Sequence, residues 1–314
     1  MTTTRPGHER AEPPGPRPGR PAQPAAPGRR DRRDRPVRLR GSGRLTGERP
    51  RRGATPDSLL ALHDAGYRAV ADRLGPGRVL DVGCGEGFES LRFLSDGRQV
   101  LGVDYAHEAT EAARGVALDG AAGCDTRPTI APAFSVAQMD ALALGLRGGA
   151  FDAVCSSHLI EHFVDPSPHV AELARVTADT GTAYFLTPNA PADFENPFHL
   201  RLFGPADLAD LLAAHFEDVW VGGVDATDEV KADFAARRAK ARRLLRLDVF
   251  DLRHRVPRSW YVALYTRLLP VAYALVARRA QDGTSRITAE DWFVTEHVDE
   301  TTLVLFAVCR SPRR

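Results

Sequence analysis

Cysteine is scarce in this 314-residue chain: the four present, Cys84, Cys124, Cys155 and Cys309, stand far apart with no C-x-x-C pair. That spacing excludes a dithiol redox motif and fits reduced, buried thiols in a cytoplasmic protein. Long apolar runs are missing as well. A spanning helix needs about 20 apolar residues, and the most apolar stretch, Trp260 to Ala277, is interrupted by Arg267 and Pro270. The first residues contain no apolar segment of the kind that forms a secretory signal. Aromatic residues are absent from positions 1–53, so base stacking is unsupported there and nucleic acid is disfavoured as a partner.

Net charge is close to absent too, at +1, but it is unevenly spread. Residues 1–53 carry 15 Arg against five acids, which leaves 27 Lys and Arg against 36 Asp and Glu in the remainder. With Pro13, Pro14, Pro16 and Pro18 among its breaks and almost no apolar side chains, this stretch cannot bury enough surface to offset its ordering entropy. The expectation is a disordered Arg/Pro/Gly-rich tail over 1–54, followed by one acidic domain over 55–314.

That domain opens with Val79-Leu80-Asp81-Val82-Gly83-Cys84-Gly85-Glu86-Gly87-Phe88. The apolar run to Val82 suits a central parallel strand, and alternate glycines let the backbone approach a ligand more closely than any Cβ would permit. Phe88, Leu91 and Leu94 have helical spacing, which predicts a helix over 86–94 with its N–H groups facing the ligand. A nicotinamide or flavin site wants G-x-G-x-x-G, but Phe88 stands at the third glycine's place. About twenty residues on, where α/β nucleotide sites hold a ribose diol, a second apolar strand, Gln99 to Asp104, ends in a carboxylate. A third, Phe134 to Gln138, leads into Met139-Asp140. Read singly, Asp81 would cap a turn and Asp104 would be a solvated carboxylate at a helix start.

Three more segments follow in order: Phe151-Asp152-Ala153-Val154, then Glu161-His162 and Asp165-Pro166, then Gly181 to Leu186 ending in Thr187-Pro188-Asn189. Together these motifs resemble the class I S-adenosylmethionine (SAM)-dependent methyltransferases of the type 11/12 kind found in bacteria. The resemblance covers about residues 57–224 and resumes at the terminal strand, Leu303 to Cys309. It implies an α/β, Rossmann-like seven-stranded sheet, mostly parallel with an antiparallel last strand and helices on both faces. It also implies SAM as cofactor, with S-adenosylhomocysteine (SAH) as product. The cofactor residues it implies are Asp81, Gly83, Cys84, Gly85, Gly87, Asp104, Tyr105, Met139, Asp140 and Ser156. Of these, Met139 would lie on the adenine face, Asp140 near its amino group, and Cys84 would be a small residue beside the cofactor.

Methyl transfer from a sulfonium is an in-line displacement, so alignment is the main task and a base helps when the nucleophile is a hydroxyl. The candidates are His158 and His199. If His158 begins a helix, Glu161 and His162 project from the same face. No metal is assigned by this reading; Glu161 and His162 serve in packing and hydrogen bonding, and they are the pair a metal would use. A further resemblance bears on that alternative. The small-RNA 3′-terminal 2′-O-methyltransferases carry E-x-x-E-H after the fourth strand and a later His, but here His158 replaces the first Glu.

Between the sixth strand, Asp218 to Val224, and the last lies an insertion. From Arg237 to Arg279 it holds 12 Lys and Arg against Asp248 and Asp251. The expectation is a mainly helical, basic segment over about 226–290 that caps the acceptor side, or that contacts a membrane surface or lipid-linked substrate as a peripheral element. The expected function is O-methylation of a hydroxyl on a sugar, glycan or secondary-metabolite acceptor. The alternatives are an RNA 2′-O-methyltransferase using the His/Glu cluster, and a SAM-binding scaffold without catalysis.

Overall fold

A computed structural model describes residues 55, 57–122, 133–193, 198–245 and 287–314. A first helix, α1 (Asp57–Ala71), leads into alternating strands and helices: β1 (Gly77–Val82), β2 (Arg98–Asp104), α2 (His107–Ala122), β3 (Phe134–Gln138), β4 (Phe151–Ser157), α3 (Ser167–Val176) and β5 (Thr177–Pro188). Then come α4 (Pro205–Ala213), β6 (Phe216–Ala226), α5 (Asp228–Leu245), β7 (Trp292–Thr295) and β8 (Val304–Pro312). The strands form one sheet in the order β3-β2-β1-β4-β5-β8-β6-β7. The first five are parallel; β8 runs antiparallel to both β5 and β6, and β7 is an antiparallel edge on β6.

Side chains alternate across this sheet with period two and feed two apolar layers. Val79, Tyr184 and Phe306 face one layer with Leu62 and Val70 of α1 and Phe234 of α5. Leu80, Phe185 and Leu305 face the other, with Leu173 of α3 and Leu208 and Leu212 of α4. α1 buries Ser58, Ala61, Leu62, Ala65 and Ala69, a stripe at helical spacing that lies on the sheet. Proline at the first turns of α3 and α4 suits positions whose N–H has no partner inside the helix. Because β1 to β5 are parallel, their C-terminal ends share one edge of the sheet, and the loops that leave them converge there.

Two expectations need correcting. The sheet has eight strands rather than seven, the addition being β7. After the glycine turn there is no regular helix over 86–94, only a 3₁₀ turn over Ser90–Phe93. Gly87 takes a positive φ of 78°, and β2 starts at Arg98, so the chain has room for little more than one turn. Phe93, which lay outside that spacing, is fully buried, while Leu91 and Leu94 are only partly so. The helical insertion is observed as α5, while residues 246–286, with Trp260, Tyr261 and Leu264, lie outside the described residues, as does the tail over 1–54. No helix among the described residues is long and apolar enough to cross a membrane.

Candidate active site

The three glycines of the turn do different work. A Cβ on Gly83 would stand 2.9 Å from Leu159 Cδ2, and one on Gly87 would stand 3.0 Å from Ala113 Cβ, so both permit close packing of neighbouring elements. A Cβ on Gly85 would meet nothing within 4 Å, although its φ of +56° still disfavours a side chain. Gly85 therefore borders open space where a ligand would sit. The turn is tied to β2 beside it: Gly83 and Cys84 N–H donate to Val103 O at 2.8 and 3.0 Å, and Gly85 N–H donates to Asp104 Oδ2 at 3.0 Å.

Asp104 ends β2 and is 7% exposed, its Oδ1 accepting from Ala106 N–H at 2.9 Å. Tyr105 follows with 73% of its surface exposed, a flat apolar face at the ligand edge. Gln138 Nε2 donates to Tyr105 O and Met139 N–H to Asp104 O, which joins the β2 and β3 loops. Asp140 is exposed and accepts from Leu142 N–H at 2.9 Å. Gly85, Asp104, Tyr105, Met139 and Asp140 thus belong to loops that hydrogen bonds join at one edge of the sheet.

Three of the expected cofactor residues turn inward instead. Asp81 is fully buried, and its carboxylate accepts from Tyr67 Oη at 3.1 and 3.2 Å and from Ser90 Oγ at 2.5 Å. It holds α1 and the 3₁₀ turn under the loop; burial pushes its pKa up to about 7, against the opposing hydrogen bonds from Ser90 and Tyr67. Cys84 packs its thiol on Gly102 of β2. Ser156 is fully buried with Oγ 2.9 Å from His169 Nε2, on the α3 face of the sheet. Its neighbour Ser157 faces the other way and is buried with no hydrogen-bond partner for Oγ.

On the acceptor side, β4 does not run into a helix. His158 takes φ +51°, its N–H donating to Leu186 O at 2.8 Å, and a short 3₁₀ turn over Ile160–His162 follows. A positive φ on a non-glycine residue is strained and marks places where surrounding structure fixes it. His158 Nδ1 still lies 3.5 Å from Glu161 Oε1, and its ring packs 4.4 Å from that of His63 on α1. Leu200 and Arg201 N–H donate to Glu161 O at 2.8 and 3.1 Å, bringing His199 against this turn. His199 Nδ1 is 2.7 Å from Asp193 Oδ1, and His162 Nδ1 is 3.0 Å from Phe198 O. The rings of His162 and His199 meet edge to face at 5.3 Å.

Glu161 is fully buried and Thr187 Oγ1 donates to its Oε2 at 3.0 Å. Burial would raise its pKa, but the imidazoles of His158, His162 and His199 around it hold it down at about 2. Burial lowers His162 and lowers His63 well below the usual imidazole value, so these two are neutral bases at pH 7. His158, Glu161, His162 and His199, singled out by sequence, therefore do assemble. Thr187 joins them from the Thr187-Pro188-Asn189 segment, and His63 and Asp193 join without a sequence signal: His63 lies on a helix far upstream, and Asp193 sits in an irregular loop.

The family profile described as a methyltransferase domain matches residues 80–185. A probable SAM-dependent methyltransferase of Mycobacterium tuberculosis is 31% identical over 169 residues, which is 52% of this chain and 57% of that protein. A probable SAM-dependent methyltransferase of Mycolicibacterium smegmatis is 32% identical over 55% of this chain and 65% of that one. A ubiquinone biosynthesis O-methyltransferase of Xanthomonas axonopodis pv. citri is 32% identical over 51% and 64%. The chain thus spans less than two thirds of the length of these relatives. A solved structure of the [4+2]-cyclase SpnF aligns over 79% of this chain and 81% of that chain at 19% identity, with a TM-score of 0.49. Residues 80–185, which hold the glycine turn and the β2 carboxylate, thus match a methyltransferase domain similar to those of SAM-dependent methyltransferases, with SAM as its cofactor.

Proposed function

We propose that this protein transfers the SAM methyl group to a hydroxyl of a sugar, glycan or other small secondary-metabolite acceptor. The observation that carries the reading is the imidazole and carboxylate cluster of His158, Glu161, His162, Asp193 and His199 beside the cofactor turn. Leu159, between His158 and this 3₁₀ turn, packs directly on Gly83, so cluster and cofactor loop are neighbours. In the displacement, the acceptor oxygen attacks the methyl carbon, the C–S bond breaks, and SAH leaves with the sulfur electron pair. A hydroxyl must also lose its proton, and an imidazole is a group that can take it. His158 and His199 are the two candidates, the second oriented by Asp193. The O-methyltransferase name of the Xanthomonas relatives points the same way.

The basic stretch from Arg237 to Arg279 would favour an anionic or lipid-linked acceptor. Incubation with methyl-tritiated SAM and a panel of hydroxylated acceptors tests the reading. Label in a base-stable ether on a hydroxyl supports it. Label on nitrogen or on RNA would replace the acceptor class, and tight SAM binding with no transfer at all would favour a scaffold.

A further inference from the structure

We propose that Glu161, His162 and His199 form a binding site for a first-row divalent cation such as Zn²⁺ or Mn²⁺. One donor atom from each of the three lies within 4.8 Å of the others. Donors about 2.1 Å from a common ion stand up to about 4 Å apart, so small side-chain rotations close the set. Their backbones are already joined, through the hydrogen bonds from Leu200 and Arg201 N–H to Glu161 O.

Each of the three residues has one polar atom held by a neighbour. His162 Nδ1 is committed to Phe198 O, His199 Nδ1 to Asp193 Oδ1, and Glu161 Oε2 to Thr187 Oγ1. A backbone carbonyl and a carboxylate are acceptors, so both imidazoles carry hydrogen on Nδ1 and the lone pair on Nε2. Metal-ligating histidines are oriented by outer partners in the same manner. The second oxygen of Glu161, Oε1, is buried with no hydrogen-bond partner, and its contact with His158 at 3.5 Å is too long to count as one. A bare carboxylate oxygen out of water is costly, and a cation at this place relieves the cost. Two imidazoles with one carboxylate suit zinc, manganese or cobalt rather than the all-oxygen preference of calcium or magnesium. Three protein ligands leave a coordination position open. That the open position receives the acceptor oxygen rests on the O-methylation reading; the site itself does not.

The test uses chelator-stripped full-length protein and Co²⁺ alone, without SAM or acceptor, followed by visible absorption, with Zn²⁺ competition. One saturable equivalent is expected, with a spectrum of nitrogen and oxygen ligation. His199→Ala and Glu161→Gln should abolish it. Asp193→Asn, which changes only the residue behind His199, should weaken it about 10- to 100-fold and alter the spectrum. Melting curves without metal confirm that each variant is folded, and should Glu161→Gln fail to fold, the other two carry the test. Absence of saturable binding, or binding that survives His199→Ala and Asp193→Asn unchanged, overturns the site. Cation binding without methylation of any hydroxyl would defeat the functional reading and leave the metal site standing.

Discussion

Replacing Asp81 with Asn should alter the pH dependence of stability, because its carboxyl is buried and held well above the usual carboxylate range. The carboxyl is fully buried, and the groups facing it offer no cation: Tyr67 from α1, Ser90 and Glu89 from the 3₁₀ turn region, Asp104 from β2 and Cys155 from β4. Its folded pKa is raised to about 7 from 3.8, so between these values the folded state holds a proton that the unfolded state has lost. Stability from this group is therefore full below pH 4, falls as pH rises, and levels off above about 7. Three units of pKa correspond to about 4 kcal/mol. Asn cannot ionise, and at low pH it forfeits about 1 kcal/mol of hydrogen bonding to Tyr67 or Ser90. The histidines that burial depresses, including His169 at about 4, impose an opposite slope in the same window, but they act equally in both proteins. The difference between variant and wild type in urea denaturation isolates Asp81. Asp81→Asn should be about 1 kcal/mol less stable near pH 3, about equal near pH 4.5 and about 3 kcal/mol more stable at pH 8. A difference that stays constant from pH 4.5 to 8 would refute the argument.

Gly85→Val should abolish SAH binding, with a melting loss of only about 1 to 2 kcal/mol from the left-handed backbone, because the new side chain enters ligand space; calorimetric titration beside a thermal melt checks both. His158→Ala and His199→Ala should keep SAM affinity and lose turnover, the pattern of an interaction made on the acceptor side, and unchanged turnover in both would leave proximity as the sole driver. Phe234→Ala should cost about 3 to 5 kcal/mol, since this α5 side chain is 1% exposed and meets Trp292 edge to face. If the basic stretch after α5 contacts a bilayer, the intact protein should sediment with anionic liposomes at low salt and release as salt rises, whereas no sedimentation at low salt would exclude that contact.

The parallel half of the sheet was legible because buried strands read as short apolar runs: β2 and β3 match their apolar patterns within a residue and β1 ends at Val82 as its pattern does, whereas β4 runs on to Ser157, past Val154. β7 was not, since four residues carry too little periodicity to register. Ser156 was named from the resemblance alone, and strand parity turns its side chain to the α3 face. The helical spacing of Phe88, Leu91 and Leu94 missed Phe93, because the 3₁₀ turn there buries a different residue from the one a regular helix would bury. The acceptor cluster was half legible. Glu161, His162 and His199 stood out as residue types, but the pairing with Asp193 and the stacking of His63 on His158 arise from tertiary packing across long separations. Asp81 shows the converse: a motif position whose carboxylate supports the loop from beneath.

Titration of SAH into wild-type protein and into Asp104→Ala tests the central assignment most directly. Asp104 closes β2 beside the glycine turn and also fixes Gly85 N–H, so its loss removes both the ribose acceptor and a restraint on the loop. The wild type should bind one SAH, and the variant should bind it more weakly by about 1 to 3 kcal/mol while melting as a folded domain. A wild type that does not bind SAH, or a folded variant that binds it equally well, would contradict the assignment of this edge as the cofactor site.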